Sequence, residues 1–291
     1  MSAPRSFHFL VNPASGGGTA PAAVLPVARI LRDAGARVEV TYSPGTRRCR
    51  TLVAEAVAAG QVVVAVGGDG MVASLAGSVV EAGGVLGIVP CGRGNDFARQ
   101  LGIGAMPDVV ACFLLDGEPR SVDVVDVDGR IVVGSLYAGV DSLASELVDG
   151  ARWMPRAVQY PYAAVRALLT CGFPTYRVVV DGVEHRHVAC TVVVANSGYY
   201  GSGMHIAPDA SLDDGLLDVV VVGAASRLSL IRSMPKLYAG THVELEDVTV
   251  LRGREVSVSA ASSVTAYGDG EQIAPLPLTV RVRPGALAVL A

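Results

Sequence analysis

Charge is what this chain of 291 residues has little of: Asp, Glu, Lys and Arg make up 17% of it, against 51% hydrophobic residues. That balance excludes a disordered chain, which needs low hydrophobicity and high charge. It leaves apolar surface enough for one large domain or two ordinary ones. The formal net charge is −4 and the pI about 5.7, so the basic excess that nucleic acid demands of its main partner is missing. The five cysteines, Cys49, Cys91, Cys112, Cys171 and Cys190, are odd in number and form no CxxC. They are expected to be buried or free thiols in a reducing cytosol. No apolar run approaches the roughly 18 residues of a membrane-spanning helix. The apolar stretch within MSAPRSFHFLVNPASGGG is too short for a signal peptide. A membrane, if met at all, is expected to be met at its surface. Internal repeats and low-complexity segments are also lacking.

What is present is organised. Residues 61–70 read QVVVAVGGDG, a run suited to a central parallel strand covered on both faces, ending in a glycine turn. An acid, Asp69, stands between glycines at the carboxyl end of that strand, where open α/β sheets place their ligands. Around it the first 120 residues alternate in type. Strands are expected at 6–11, 36–42 and 84–90, and helices at 20–34, 47–59, 71–82 and 107–116. Strands alternating with helices indicate a parallel sheet with right-handed crossovers, a three-layer α/β domain. After residue 120 the texture turns β-rich, with Asp-Gly hairpin signals at 128–129 and 181–182 and helical stretches at about 141–171 and 226–238. This predicts a second, antiparallel domain over 121–281, a sandwich or barrel, with 282–291 able to return to the first.

Three glycine-bearing segments close strands of the α/β domain: Asn12-Pro13-Ala14-Ser15-Gly16, Gly67-Gly68-Asp69-Gly70 and Pro90-Cys91-Gly92-Arg93-Gly94-Asn95-Asp96. All three fall on one edge of a parallel sheet, each before a helix, where backbone N–H groups and helix N-termini favour phosphate. Any one could be an ordinary turn; three on one edge point to a nucleotide. Neither a P-loop GxxxxGK(S/T) nor a GxGxxG fingerprint occurs, so the nucleotide must be held another way.

A fourth segment runs from Asn196 through Gly201, Gly203, Pro208, Ala210 and Ser211 to Asp214, Gly215, Leu216 and Asp218. Together with the late Asp269-Gly270-Glu271, the chain now resembles the bacterial diacylglycerol kinase-like lipid kinases, relatives of sphingosine and ceramide kinases. The order and spacing of the motifs cover nearly the whole chain, whereas the GGDG element alone would also suit NAD kinases. The resemblance implies an ATP cleft between an α/β and a β-rich domain. Asn12, Pro13, Ser15 and Gly16 would touch nucleotide, with Thr41 or Ser43 nearby. Gly68, Asp69 and Gly70 would surround the phosphates; Gly67, Met71, Asn95 and Asp96 would belong to the same nucleotide site, where Arg93 would either contact phosphate or obstruct the nucleotide. Asp69 would hold Mg2+ directly or through water, although turn or capping duty would also suit it, and Asn95 and Asp96 could equally cap the next helix. Glu271, with Asp269 as its rival, would accept the proton of the acceptor hydroxyl; a plain hairpin turn is the alternative. Ser211, Asp214 and Leu216 match a structural Mg2+ position, and a plain Asp-Gly turn fits nearly as well.

The implied activity is ATP-dependent phosphorylation of diacylglycerol or a related lipid, by a cytoplasmic protein peripheral to the inner face of the membrane. A soluble acceptor, as in NAD kinases, and a non-catalytic nucleotide-binding regulator are the alternatives, and a homodimer is compatible with the sequence. Arg152, Trp153, Met154 and Arg156 have a composition suited to an interface, or to a partly buried helix start. His185 and His187 alternate on a strand and are expected to be exposed there in preference to binding metal. Met71 and Arg93 replace the family's threonines, Ala73 and Ser74 its Asn-Glu, and Ser202 interrupts its GGG run. These departures bear on nucleotide affinity and turnover and leave the fold intact.

Overall fold

The structure is a computed structural model describing residues 5–13, 15–42, 46–151, 154 and 156–291. The chain divides into two compact units. One holds residues up to Val124 with 201–203 and 283–291, the other 125–200 with 204–282.

The first unit contains β1 (Ser6–Val11), α1 (Ala20–Asp33), β2 (Arg37–Tyr42), α2 (Thr46–Ala58), β3 (Val62–Gly67), α3 (Asp69–Ala82), β4 (Val85–Pro90), α4 (Asp96–Gln100), α5 (Pro107–Asp116) and the first part of β5 (Pro119–Val127). The valine-rich strands β1, β3 and β4 are buried along almost their whole length, as strands covered on both faces must be. They pair in parallel, β4 with β3, β3 with β1 and β1 with β2. From β1 the chain thus steps outward to β2, then returns across β1 to β3 and β4. That reversal puts a topological switch point between β1 and β3, the place where doubly wound sheets bind ligands. Helix α1 packs with α5, and α2 with α3.

The second unit contains the rest of β5, β6 (Arg130–Val132), β7 (Ser135–Gly139), α6 (Val140–Gly150), α7 (Arg156–Thr170), β8 (Thr175–Val180), β9 (Val183–Ala195), the ribbon β10 (Tyr199–Tyr200) and β11 (Met204–His205), β12 (Leu217–Gly223), α8 (Arg227–Ala239), β13 (Val248–Gly253), β14 (Glu255–Ala260), β15 (Thr265–Gly268), β16 (Glu271–Pro275) and the start of β17 (Leu278–Leu290). The helical stretch expected at 141–171 is two helices. Strand β9 changes partners along its length. Residues 183–188 pair with β8, whereas 189–195 lie between β7 and β12. One layer therefore runs β9-β8-β14-β17 and the other β13-β12-β9-β7-β15-β16. Val178, Val192, Val219, Val256 and Val280 belong to one shared core. The result is a sandwich; among the described residues no pairing closes it into a barrel. The last strand serves both units: 278–281 pair antiparallel with β14, and Ala288 and Val289 pair parallel with β4.

Three hairpins turn on Asp-Gly. Asp128, Asp181 and Asp269 have φ of 51°, 48° and 49°, followed by Gly129, Gly182 and Gly270 at 85°, 85° and 86°. Positive φ at both central residues suits the right-handed twist of the flanking strands.

Candidate active site

At the switch point the glycine segments pack backbone to backbone. A Cβ on Gly92 would stand 2.5 Å from the Cα of Gly68, and one on Gly16 would stand 2.2 Å from the carbonyl oxygen of Cys91. A Cβ on Gly67 would strike that of Met71 at 2.5 Å. The Cys91 N–H donates to the Gly67 carbonyl at 2.9 Å, and the Asn12 N–H to the Val66 carbonyl at 3.3 Å. The sequence uses glycine here because three loops occupy space that side chains would fill. Gly70, by contrast, is exposed with open space around it.

Asn95 braces the loop ahead of α4. It adopts the left-handed conformation, its Oδ1 accepts from the Gly92 N–H at 2.8 Å, and its Nδ2 donates to the Gly92 carbonyl at 3.2 Å. It makes no side-chain cap to α4; Asp69 supplies that bond, its Oδ1 accepting from the Phe97 N–H at 3.1 Å. Asp69 therefore does cap a helix, across 28 residues of chain. The other oxygen of Asp69 lies toward Gly94, whose Cβ would sit 3.1 Å from it. Beside it, buried Asp96 accepts from the Ser202 N–H at 2.8 Å through Oδ2. Its Oδ1 is buried with no hydrogen-bond partner. Burial pushes the Asp96 carboxyl above the ordinary carboxylate range, and the neighbouring charge of Asp69 pushes it further, against donors from Ser202 and Gly203. Two carboxylates with an orphaned buried oxygen suit a divalent cation that keeps water and phosphate as its remaining ligands. Residues 201–203, drawn from the β-rich part of the sequence, thus complete this corner of the first unit.

The other residues expected at the nucleotide have varied surroundings. Met71 is buried at the start of α3, where its carbonyl accepts from the Ser74 hydroxyl at 2.9 Å. Helix α3 has no side-chain cap. Pro13 and Arg93 are exposed and Ser15 half-buried. The Thr41 hydroxyl shares a hydrogen bond of 2.9 Å with Nε2 of buried His8. Ser43, Ala14, Arg152 and Trp153 lie outside the described residues, as does the side chain of Arg156; Met154 is half-buried.

In the second unit, Asp269 and Glu271 are separated by their surroundings. Asp269 turns inward from its hairpin: Oδ2 accepts from Val133 N–H at 2.8 Å, and Oδ1 from Gly134 and Ser135 N–H at 2.9 and 3.3 Å. Gly134 has no room for a Cβ, which would meet Oδ1 of Asp269 at 2.7 Å. Glu271, two residues on, is exposed. Asn196 joins the same hub, its Nδ2 donating to the Val133 carbonyl at 2.9 Å.

The residues matched to a structural Mg2+ lie in a hydrogen-bonded segment. Asp214 pairs with Arg252 and accepts from the Leu216 N–H at 3.0 Å, and the Ser211 hydroxyl donates to Asp213 at 2.7 Å. Arg252 also reaches buried Asp218 at 3.1 Å. Asp214 is thus held at a turn by a guanidinium and a backbone N–H. His185 and His187 stack at 6.4 Å between ring centroids. Among the described residues no cluster of three or more His, Cys, Asp or Glu is arranged for a metal.

Asp141 escaped sequence reasoning. Standing in the first turn of α6, it accepts from the Thr191 hydroxyl at 2.8 Å and from Tyr200, and burial pushes its pKa up. The one available signal was an acid directly after a strand ending in glycine, Gly139-Val140-Asp141.

A doubly wound sheet whose switch point gathers three glycine loops around paired carboxylates, followed by a β-sandwich, is the architecture that holds the candidate site. Comparison with known proteins supplies its family. Residues 6–127 match the diacylglycerol kinase catalytic domain, and 134–291 the YegS C-terminal NAD kinase beta sandwich-like domain. The chain belongs to this family of diacylglycerol kinase-like lipid kinases. The Mycobacterium tuberculosis protein named diacylglycerol kinase is 34% identical over 97% of this chain and 93% of its own length. The Pseudomonas aeruginosa protein named probable lipid kinase YegS-like is 28% identical over 89% of this chain and 86% of its own. A Bacillus anthracis crystal structure titled as a diacylglycerol kinase superposes with a TM-score of 0.73, covering 100% of this chain and 97% of that one at 18% identity, a likeness of fold.

Proposed function

We propose that this protein transfers the γ-phosphate of ATP to a hydroxyl of diacylglycerol or a closely related lipid, with Mg2+. The observation that carries the proposal is the corner made by Asp69 and Asp96, with one buried oxygen unpartnered, against the glycine backbones of Gly16, Gly68 and Gly92. Glycine loops admit phosphate oxygens close to backbone N–H groups, and the uncapped start of α3 favours negative charge. Phosphoryl transfer asks a protein mainly for positioning and charge neutralisation. A bound Mg2+ would neutralise charge on the phosphates; Asp69 and Asp96 are the residues that would hold it. Asn95, Asp69 and Ser202 keep the loops in place through the bonds described above.

Glu271 is assigned the general base. It is exposed, whereas both oxygens of Asp269 accept backbone N–H bonds. In the step, the lipid O–H bond gives its proton to Glu271 and its oxygen forms the new bond to the γ-phosphorus. The bond from that phosphorus to the β-bridging oxygen breaks, and ADP leaves. Incubating the purified chain with labelled ATP and Mg2+ over a panel of lipid and water-soluble acceptors tests this directly. Label in phosphatidic acid is expected; label only in soluble acceptors, or none with tight ATP binding, would refute it.

A further inference from the structure

Helix α8 turns apolar residues outward. Only Leu230 is buried, while Leu228, Ile231 and Tyr238 are 55%, 48% and 51% exposed. At about 100° per residue, Leu228, Ile231, Pro235 and Tyr238 fall on a single stripe of the helix. Arg232 and Lys236 border it, and the helix contains no acidic residue. Lys236 is the one lysine of the entire chain.

The neighbouring helix continues the pattern. Val165 and Leu169 on α7 are each 56% exposed, with exposed Arg166 beside them. The Arg227 guanidinium, at the start of α8, donates to the Leu168 carbonyl and, at 3.5 Å, to that of Cys171. The end of α7 and the start of α8 are therefore tied together, and both carry exposed apolar residues.

We propose that these exposed residues of α7 and α8 form a docking surface for an anionic lipid bilayer. Aliphatic and tyrosine side chains flanked by cations are the pattern of an interfacial helix lying in the headgroup region. The cations complement an anionic leaflet, and the helix that carries Arg232 and Lys236 has no acid to offset them although the whole chain carries a net charge of −4. A second copy of the chain is a poorer occupant, since a two-fold contact through this face would bring like charges together. The proposal deepens the lipid-kinase reading by naming the surface that meets the substrate's membrane, yet docking itself needs neither ATP nor turnover.

The test is flotation of the full chain, without ATP, with vesicles of phosphatidylcholine alone or with phosphatidylglycerol in equal parts. Binding is expected only with phosphatidylglycerol. Leu228→Ser with Ile231→Ser, and separately Arg232→Glu with Lys236→Glu, should each weaken it by at least about tenfold, the first through two apolar side chains no longer buried and the second through two cations lost at an anionic surface. All four positions face outward, so unchanged thermal unfolding is expected. An amine-reactive reagent can mark Lys236, and anionic vesicles should protect it. Equal flotation of wild type and variants, or full labelling of Lys236 on vesicles, would overturn the proposal. So would a loss of self-association in the variants with vesicle binding intact. Assays on detergent-dispersed diacylglycerol separate the two readings. Vesicle binding without kinase activity sinks only the function, and activity without vesicle binding sinks only the docking surface.

Discussion

Asp96 keeps one oxygen on the Ser202 N–H and buries the other without a partner, and its raised pKa gives that arrangement a measurable sign. The folded state holds this proton to higher pH than the unfolded chain does. Stability is therefore lost as pH rises through the window above the ordinary carboxylate range. A divalent cation held there, as proposed, would relieve that penalty, so the gain in melting temperature from Mg2+ with ATP should be larger at neutral pH than in acid. Asp96→Asn should melt no lower than wild type in chelator and show no gain from Mg2+ beyond that of ATP alone. A full cation-dependent gain in the variant would contradict the assignment. Asp269 and Glu271 make a second contrast. Asp269→Ala strands the N–H groups at 133–135 and should cost about 1–3 kcal/mol of stability, read by denaturant unfolding. Glu271→Gln should leave unfolding unchanged and lower kcat by about 10²–10⁴-fold. The reverse pattern would exchange their roles. Sequence reasoning named all of these side chains but could not see their division of labour. The partners of Asp69 and Asp269 lie 28 and 136 residues away along the chain, and a sequence carries no register for such pairings.

Elements were more legible than the bonds between them. The valine runs of β1, β3 and β4 and the Asp-Gly turns are local signals, set by burial on both faces and by positive φ, so they survive without tertiary information. Strand β9 was opaque because its change of partners between Val188 and Ala189 needs two layers already in place. Residues 201–203 were opaque too, since they lie in a β-rich context and pack with the α/β unit. The glycine junction supplies the test at this scale. Gly92→Ala sets a methyl 2.5 Å from the Gly68 backbone, which must move. Nucleotide-dependent thermal stabilisation should disappear, with a loss of about 1–3 kcal/mol in the free protein. Gly70→Ala, with nothing within 4 Å of its Cβ, should retain its stability. Equal behaviour of the two variants would mean that the close approach of the loops does not shape the site.

For the whole molecule, the α/β unit and the sandwich follow from the change of texture near residue 120, and nearly full-length similarity to diacylglycerol kinases fixes the family. Among the described residues no helix is long and apolar enough to cross a membrane. Of the replacements, Met71 is absorbed into the core and Arg93 is exposed, while Asp69 and Asp96 accept from Phe97 and Ser202, which leaves the proposed carboxylate corner intact. The decisive measurement is transfer of the labelled γ-phosphate from ATP to detergent-dispersed diacylglycerol by wild type, Asp69→Asn and Glu271→Gln side by side. Labelled phosphatidic acid from wild type, reduced at least about a hundredfold in both variants, is the predicted result. Turnover at wild-type rate in either variant, or none in wild type, would contradict it.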